Sequence, residues 1–150
     1  PRRHAPAIVP THLFFYGVLL RDVASPQITA MLAGLGPGRP ATASGMLNAV
    51  PDSRGWYPVL LAGAGEVRGM IHEAGSVDLA ALDRFEGVDP ADPHAGEYRR
   101  EPIRVTADDG EALSAAAYLY NRDPAPDFEP ILHGDFARWL HKGGHTALAG

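Results

Sequence analysis

Glu86 is the carboxylate in this chain whose position is hardest to explain as solvated surface. A helix over residues 77 to 86, turning at ~100° per residue, gathers Leu79, Leu82 and Phe85 into one apolar stripe. Glu86 falls inside that stripe, and Arg84 lies on the opposite face. Glu86 also sits in the last turn, where the negative end of the helix dipole disfavours an ionised carboxylate. Burial against the stripe acts in the same direction and raises the pKa. A carboxyl group held near neutrality can take a proton and give it back, which is general acid/base chemistry. The pattern by itself also admits a plainer reading, in which Glu86 lies at the edge of the stripe and reaches water past Gly87.

The second candidate is the loop Tyr16-Gly17-Val18-Leu19, inside FFYGVLLRD. A buried strand ends there at a glycine and the chain continues toward a helix. Glycine lets the backbone approach a ligand closely. Successive free amides after a strand or at a helix start bind carboxylate or phosphate. An ordinary strand-to-loop turn has the same appearance.

Other chemistries find less support. The chain has no cysteine, hence no thiolate nucleophile, disulfide frame or Cys-based metal site. Its seven histidines include His141 and His145 at i,i+4 spacing, but Gly143-Gly144 between them argues against a stable helix there. There is no His-Glu-x-x-His motif, and His72-Glu73 falls on a predicted strand. No metal and no cofactor is expected. Gly63-Ala64-Gly65 through Gly69 lacks dinucleotide-loop spacing and precedes a strand, so it reads as a turn. Ser25, Ser44, Ser53, Ser76 and Ser114 lack a nucleophile-elbow context, and Ser25 and Ser76 read as helix caps. A formal net charge of −5 without a basic stripe speaks against nucleic-acid binding. No apolar run approaches the ~20 residues of a membrane-spanning helix, and PRRHAPAIVP is too short and Pro-broken for a secretory signal. A cytoplasmic protein is expected. Its oligomeric state is not legible.

The elements that must position these residues follow from apolar periodicity and from Gly and Pro. With 150 residues, one domain is expected: a flexible tail over 1–11, a domain over 12–142 and a C-terminal tail over 143–150. HLFFYGV (12–18) reads as a buried strand. Ser25-Pro26 opens a helix over QITAMLA that stops near Gly34. ATASGMLNAV, WYPVLLA and EVRGMIHEA read as three strands separated by turns, and Ser76 starts the helix that Gly87 ends. YRREPIRVTA and ALSAAAYLYNR form a hairpin about Ala107-Asp108-Asp109-Gly110, with Pro102 marking an edge or bulged strand. Pro124, Pro126 and Pro130 mark a loop, and ILHGDFARWLH (131–141) a last amphipathic helix. About six strands in mixed order with few helices do not fit a doubly wound sheet. The expected class is α+β, with a curled or barrel-like sheet.

In order, these pieces resemble the gamma-glutamylcyclotransferase-like family. FFYGVLL resembles its Tyr-Gly-Ser/Thr loop, GWYPVLL its Gly-x-Tyr-Pro strand, and VRGMIHEA its Gly-x-x-Tyr-Glu strand. LDRFEG followed by YRREPIRV is similar to its Leu-Asp-x-x-Glu-Gly and Tyr-x-Arg-x-x-Val-x-Val pattern. HGDFARWL resembles the Gly-Asp-Trp stretch of the avirulence-induced-gene-like and gamma-glutamylamine branches. The resemblance runs from about residue 12 to residue 141.

The resemblance implies a small mixed β-barrel of about six strands flanked by two or three helices. It implies an enzyme that releases 5-oxoproline from a γ-glutamyl amide or amine. Glu86 takes the place of the family's acid/base glutamate, and Tyr16, Gly17, Val18 and Leu19 that of its substrate loop. Tyr98 and Tyr118 take the places of two further substrate-site tyrosines. Val18 stands where the family has Ser or Thr, which keeps an amide and loses a hydroxyl. His72 stands where Tyr is usual. Two rival readings keep the scaffold: a binding protein that turns nothing over, and an enzyme that removes a γ-glutamyl protecting group. The leaving group itself is not legible, because the wall facing it is expected in loops such as 34–40 and 88–97.

Overall fold

The computed structural model describes residues 10–17 and 26–147, with the backbone alone at residues 27 and 28. The expected N-terminal tail, the Ser25 cap, Val18 and Leu19 lie outside the described residues, except for the tail's last two positions. In chain order the elements are β1 (His12–Phe15), α1 (Pro26–Met31), β2 (Gly38–Asp52), β3 (Gly55–Glu73), α2 (Leu79–Glu86), β4 (Tyr98–Ala107), β5 (Ala112–Tyr120), β6 (Glu129–Pro130) and α3 (Phe136–Gly143).

Five strands close a barrel in the order β3-β1-β5-β4-β2, with β2 pairing back onto β3, and β6 lies outside on β2. All pairings are antiparallel except β1 with β5, where Leu13 faces Ala116. A barrel of so few strands is narrow, and its interior must be filled by side chains of matched size. The buried core combines bulky Phe14, Val59, Leu60, Val67, Ile71 and Val105 with small Ala41, Ala49 and Ala117. The expected α+β class with a small mixed barrel is what the chain folds into.

Four readings of local structure need correction. The second and third predicted strands are one long strand, β3. Gly63-Ala64-Gly65 is not a turn between strands but part of a bulge: Ser44 pairs with Glu66 and Met46 with Leu61, so Ala62–Gly65 oppose Gly45 alone. Helix α2 is capped not by Ser76 but by Asp78, whose side chain accepts from Ala81 N–H at 3.0 Å. The last helix starts at Phe136 rather than near Ile131. Gly134, at φ 70°, turns the chain, and Asp135 caps the helix by accepting from Arg138 N–H at 3.0 Å. Pro130, read as loop, pairs with Asn48 in β6. A proline is tolerated there because β6 is an edge strand.

The hairpin at Asp108–Gly110 joins β4 to β5 as expected. β4 pairs with β2 only over Val105–Ala107, so Pro102 lies where the β2 side of the strand is unpaired. Beyond α3 the chain returns to the barrel. Trp56 N–H donates to Thr146 O at 2.8 Å, and His145 stacks on Trp139 with centroids 4.3 Å apart.

Candidate active site

Two local structures aim the predicted residues at one place. The first is the C-terminus of α2. Leu82 is buried on the barrel side and Phe85 is half-buried, so the stripe holds the helix down and carries Glu86 with it. Gly87 ends the helix at φ 76°, a left-handed conformation that side chains resist. Its N–H closes onto Arg84 O at 3.2 Å. The chain then loops back, and Glu97 N–H donates to Gly87 O at 3.0 Å. The second is the end of β1. A Cβ added at Gly17 would lie 2.1 Å from Pro58 Cγ, so only glycine lets this strand end pass β3 so closely.

Between them lies a cavity of about 310 Å³. Tyr16, Gly17, Glu86, Tyr98 and Tyr118 all line it, together with Phe14, Phe15, Phe85, Tyr57, Pro58, Glu97, Asp52 and Arg54. Five of the seven residues singled out from sequence are therefore brought together, and the other two lie outside the described residues. None of residues 34–40 lines the cavity, whereas Glu97 of the 88–97 segment does.

Glu86 keeps part of its surface open to the cavity, yet its dense surroundings strip most of the water from its carboxyl group. That desolvation, helped by the negative charges of Glu97 and then Asp83, pushes its pKa up to about 8. The stripe reading and the edge reading of Glu86 are thus both partly right in geometry, and desolvation dominates the energetics.

The tyrosines are neutral framework groups. Burial, then the charge of Glu86, raises Tyr16 well above its ordinary value. The Tyr16 hydroxyl donates to Tyr118 O and receives a hydrogen bond from the Leu60 amide. The Tyr98 hydroxyl donates to Pro58 O at 2.9 Å, and burial raises its pKa too. The Tyr118 hydroxyl donates to Asp83 Oδ1 at 2.8 Å. Arg100 Nε lies 3.0 Å from the same oxygen, and Arg100 pairs with Tyr118 across β4 and β5. Asp83, one turn before Glu86, thereby ties α2 to the barrel. All three hydroxyl protons are committed to protein acceptors.

Sequence reasoning passed over Glu97, Tyr57 and Asp83. The last two stood in motifs already quoted, GWYP and LDRFEG, and Glu97 directly precedes Tyr98. His72, the departure noted in β3, is buried away from the cavity lining: its Nδ1 lies 3.0 Å from Gly36 O and its ring packs on Phe15. Among the described residues no three His, Asp or Glu side chains converge as a metal site. No helix among them is long and apolar enough to cross a membrane.

A family model described as gamma-glutamyl cyclotransferase, AIG2-like, matches residues 13–138, most of the chain. This chain belongs to that family. No curated protein matches it in sequence. Among solved structures similar to this family member, YkqA from Bacillus subtilis has a TM-score of 0.66 at 21% identity, over 91% of this chain and 43% of that one. This chain thus spans less than half of YkqA. An AIG2-like protein from Mus musculus has a TM-score of 0.61 at 25% identity, over 85% of this chain and 88% of that one. A solved gamma-glutamyl cyclotransferase has a TM-score of 0.56 at 19% identity, over 81% of this chain and 70% of that one. Likeness to the first and third of these speaks to the fold alone. Membership of the gamma-glutamyl cyclotransferase, AIG2-like family supports a cyclotransferase-type fold.

Proposed function

We propose that this protein cyclises a γ-glutamyl amide or amine, releasing 5-oxoproline and the free amine. The observation that carries the proposal is Glu86: a desolvated carboxyl group, with a pKa near 8, facing an aromatic-walled cavity large enough for a small substrate.

The substrate's α-ammonium, seated beside Glu86, favours the ionised carboxylate and gives it a proton. The freed α-amine attacks the substrate's own γ-carbonyl carbon and closes a five-membered ring. As the tetrahedral intermediate collapses, the bond to the leaving nitrogen breaks and Glu86 returns its proton to that nitrogen. The ring nitrogen, made cationic by its attack, then gives its second proton through Glu86 to the released amine, which departs as an ammonium ion. Proton count is unchanged over the cycle, so one carboxyl group serves as base and then acid. The barrel's main contribution is orientation, which offsets roughly 7–11 kcal/mol of barrier in well-aligned cases. Gly17 leaves its backbone exposed to the cavity, where an amide can meet a carboxylate or the developing oxyanion.

Glu86→Gln keeps the shape and removes the titrating group. With a panel of γ-glutamyl compounds and mass spectrometry for 5-oxoproline, the variant is expected to lose at least about a hundredfold in kcat. In the wild type, kcat/KM should rise with pH through about 8, as the free-enzyme carboxyl group ionises. Wild-type rates from Glu86→Gln would sink the assignment. Binding without any product would favour a binding protein on this scaffold.

A further inference from the structure

The segment between α2 and β4, residues 88–97, brings one charge to the cavity, the carboxylate of Glu97. Much of the segment folds on itself. Asp89 Oδ1 accepts from the N–H groups of Ala91 and Asp92 at 2.9 and 3.2 Å, and Asp92 Oδ1 from that of His94 at 3.2 Å. Turns of this kind shape the loop locally and leave its distance from Glu86 open.

Asn121, the half-buried residue that follows β5, ties the loop to the barrel. Its Nδ2 donates to Pro93 O at 2.7 Å and to Gly96 O at 3.0 Å. Its Oδ1 accepts from Arg99 Nη1 at 2.8 Å, which fixes which way round the amide lies. Its backbone N–H donates to Glu97 O at 2.9 Å, while Glu97 N–H donates to Gly87 O at 3.0 Å. Glu97 is thus clamped at both backbone groups, between the end of β5 and the corner after Glu86. Gly96 fits this clamp because it has no side chain: a Cβ there would lie 2.3 Å from Gly87 O. Tyr57 holds the carboxylate itself, donating to Oε2 at 3.1 Å. Asn121 lines no part of the cavity.

The charge of Glu86 interacts with Asp83 of its own helix, with Tyr16 of β1, Tyr98 of β4 and Tyr118 of β5, and with Glu97. From the β2–β3 hairpin, Asp52, Arg54 and Tyr57 line the same cavity. Asp83 already accepts from Tyr118 and pairs with Arg100. After desolvation, the charge of Glu97 raises the Glu86 pKa more than that of Asp83 does. We propose that Asn121 is a positioning residue of this site: by latching residues 93–97 to the end of β5 it keeps the Glu97 charge beside Glu86. The latch thereby sets how readily Glu86 gives up its proton. A negative charge nearby disfavours the ionised form, so releasing the latch lets Glu86 ionise at lower pH. The kinetic consequence rests on the cyclotransferase reading above, and the proton affinity does not.

The carboxyl carbon-13 resonance of Glu86, assigned by its loss in Glu86→Gln, follows ionisation without any substrate. Its midpoint is expected to fall by about one pH unit in Glu97→Gln and by about half a pH unit or more in Asn121→Ala. Combined with Glu97→Gln, Asn121→Ala should add nothing, because the charge it moves is gone. Asn121→Ser, with one donor in place of two, gives the same comparison where the alanine variant does not fold. An unchanged midpoint in a folded Asn121 variant overturns the inference. So does an equal shift in the Glu97→Gln background, which would mean that the loop only shields Glu86 from water. For γ-glutamyl compounds that yield 5-oxoproline, the rising limb of kcat/KM should move to lower pH together with the midpoint. Absence of 5-oxoproline from every compound would sink the cyclotransferase reading instead, and the resonance titrations decide the role of Asn121 either way.

Discussion

A carboxyl group that the fold keeps protonated near neutrality leaves a thermodynamic trace as well as a kinetic one. The pKa of Glu86 is raised from 4.5 to about 8, first by desolvation and then by Glu97 and Asp83. Between those two values the folded state holds a proton that the unfolded chain has released, so stability falls as pH rises through the window. Below pH 4.5 both states are protonated and the cost vanishes. Glu86→Gln does not titrate. Its stability relative to wild type should therefore climb by about 2–4 kcal/mol from about pH 4 to about pH 9. Urea unfolding at several pH values measures this, and a difference that stays flat with pH would deny the desolvation. The sign of the effect was legible in the sequence, from a Glu on an apolar stripe in a last helical turn. The share of Glu97 was not, because residues 88–96 must fold back on Gly87 before the two carboxyl groups meet.

Helix α2 has eight residues, too short to be stable alone. It holds its place by Leu82 and Phe85 underneath, by the Asp78 cap at one end and Gly87 at the other, and by Asp83 bridging to Tyr118 and Arg100. Under the proposed mechanism Gly87 bears on function most directly, since its left-handed turn ends the helix just after Glu86. Gly87→Ala should cost about 1–2 kcal/mol of stability, because a Cβ resists that conformation. It should also lower kcat more than it raises KM, because the acid/base group is mis-aimed. Thermal unfolding and steady-state kinetics on one preparation separate the two effects, and unchanged kcat would show that the corner does not aim Glu86. The glycine stop was legible from Glu-Gly after an apolar stripe. The cap was misassigned because Ser76 and Asp78 are both good capping residues. Ser76 N–H bonds to Gly34 O, so that residue belongs to the approach to the helix.

The whole molecule is a narrow barrel with α3 and the chain beyond it packed against one edge. Phe136 of α3 is fully buried and stacks with Trp139, which in turn carries His145 back against Trp56. Phe136→Ala should destabilise the fold by about 3–5 kcal/mol, read as a lower urea midpoint at unchanged slope. A loss under about 1 kcal/mol would mean that α3 is an accessory to the barrel rather than part of its core. At this scale the small mixed barrel was implied by the resemblance of the chain's ordered motifs to the family, while its apolar periodicity and its Gly and Pro punctuation were enough to expect α+β with a curled or barrel-like sheet, the hairpin at Asp108–Gly110 and Glu86 as the anomalous carboxylate. Those are local properties: which face is apolar, where the backbone must turn, where a helix stops. The single long β3 with its Ala62–Gly65 bulge escaped, because two glycines look alike in a turn and in a bulge until a partner strand sets the register. The cavity escaped for the same reason. Its walls come from β1, the β2–β3 hairpin, α2, β4 and β5, and only closure of the barrel brings Tyr16, Tyr57, Glu86, Glu97 and Tyr118 around one space. The sequence by itself determined that Glu86 would sit against apolar surface. Tertiary structure decided what it faces and which charges stand beside it, since desolvation and Coulomb interactions depend on distance through space rather than along the chain.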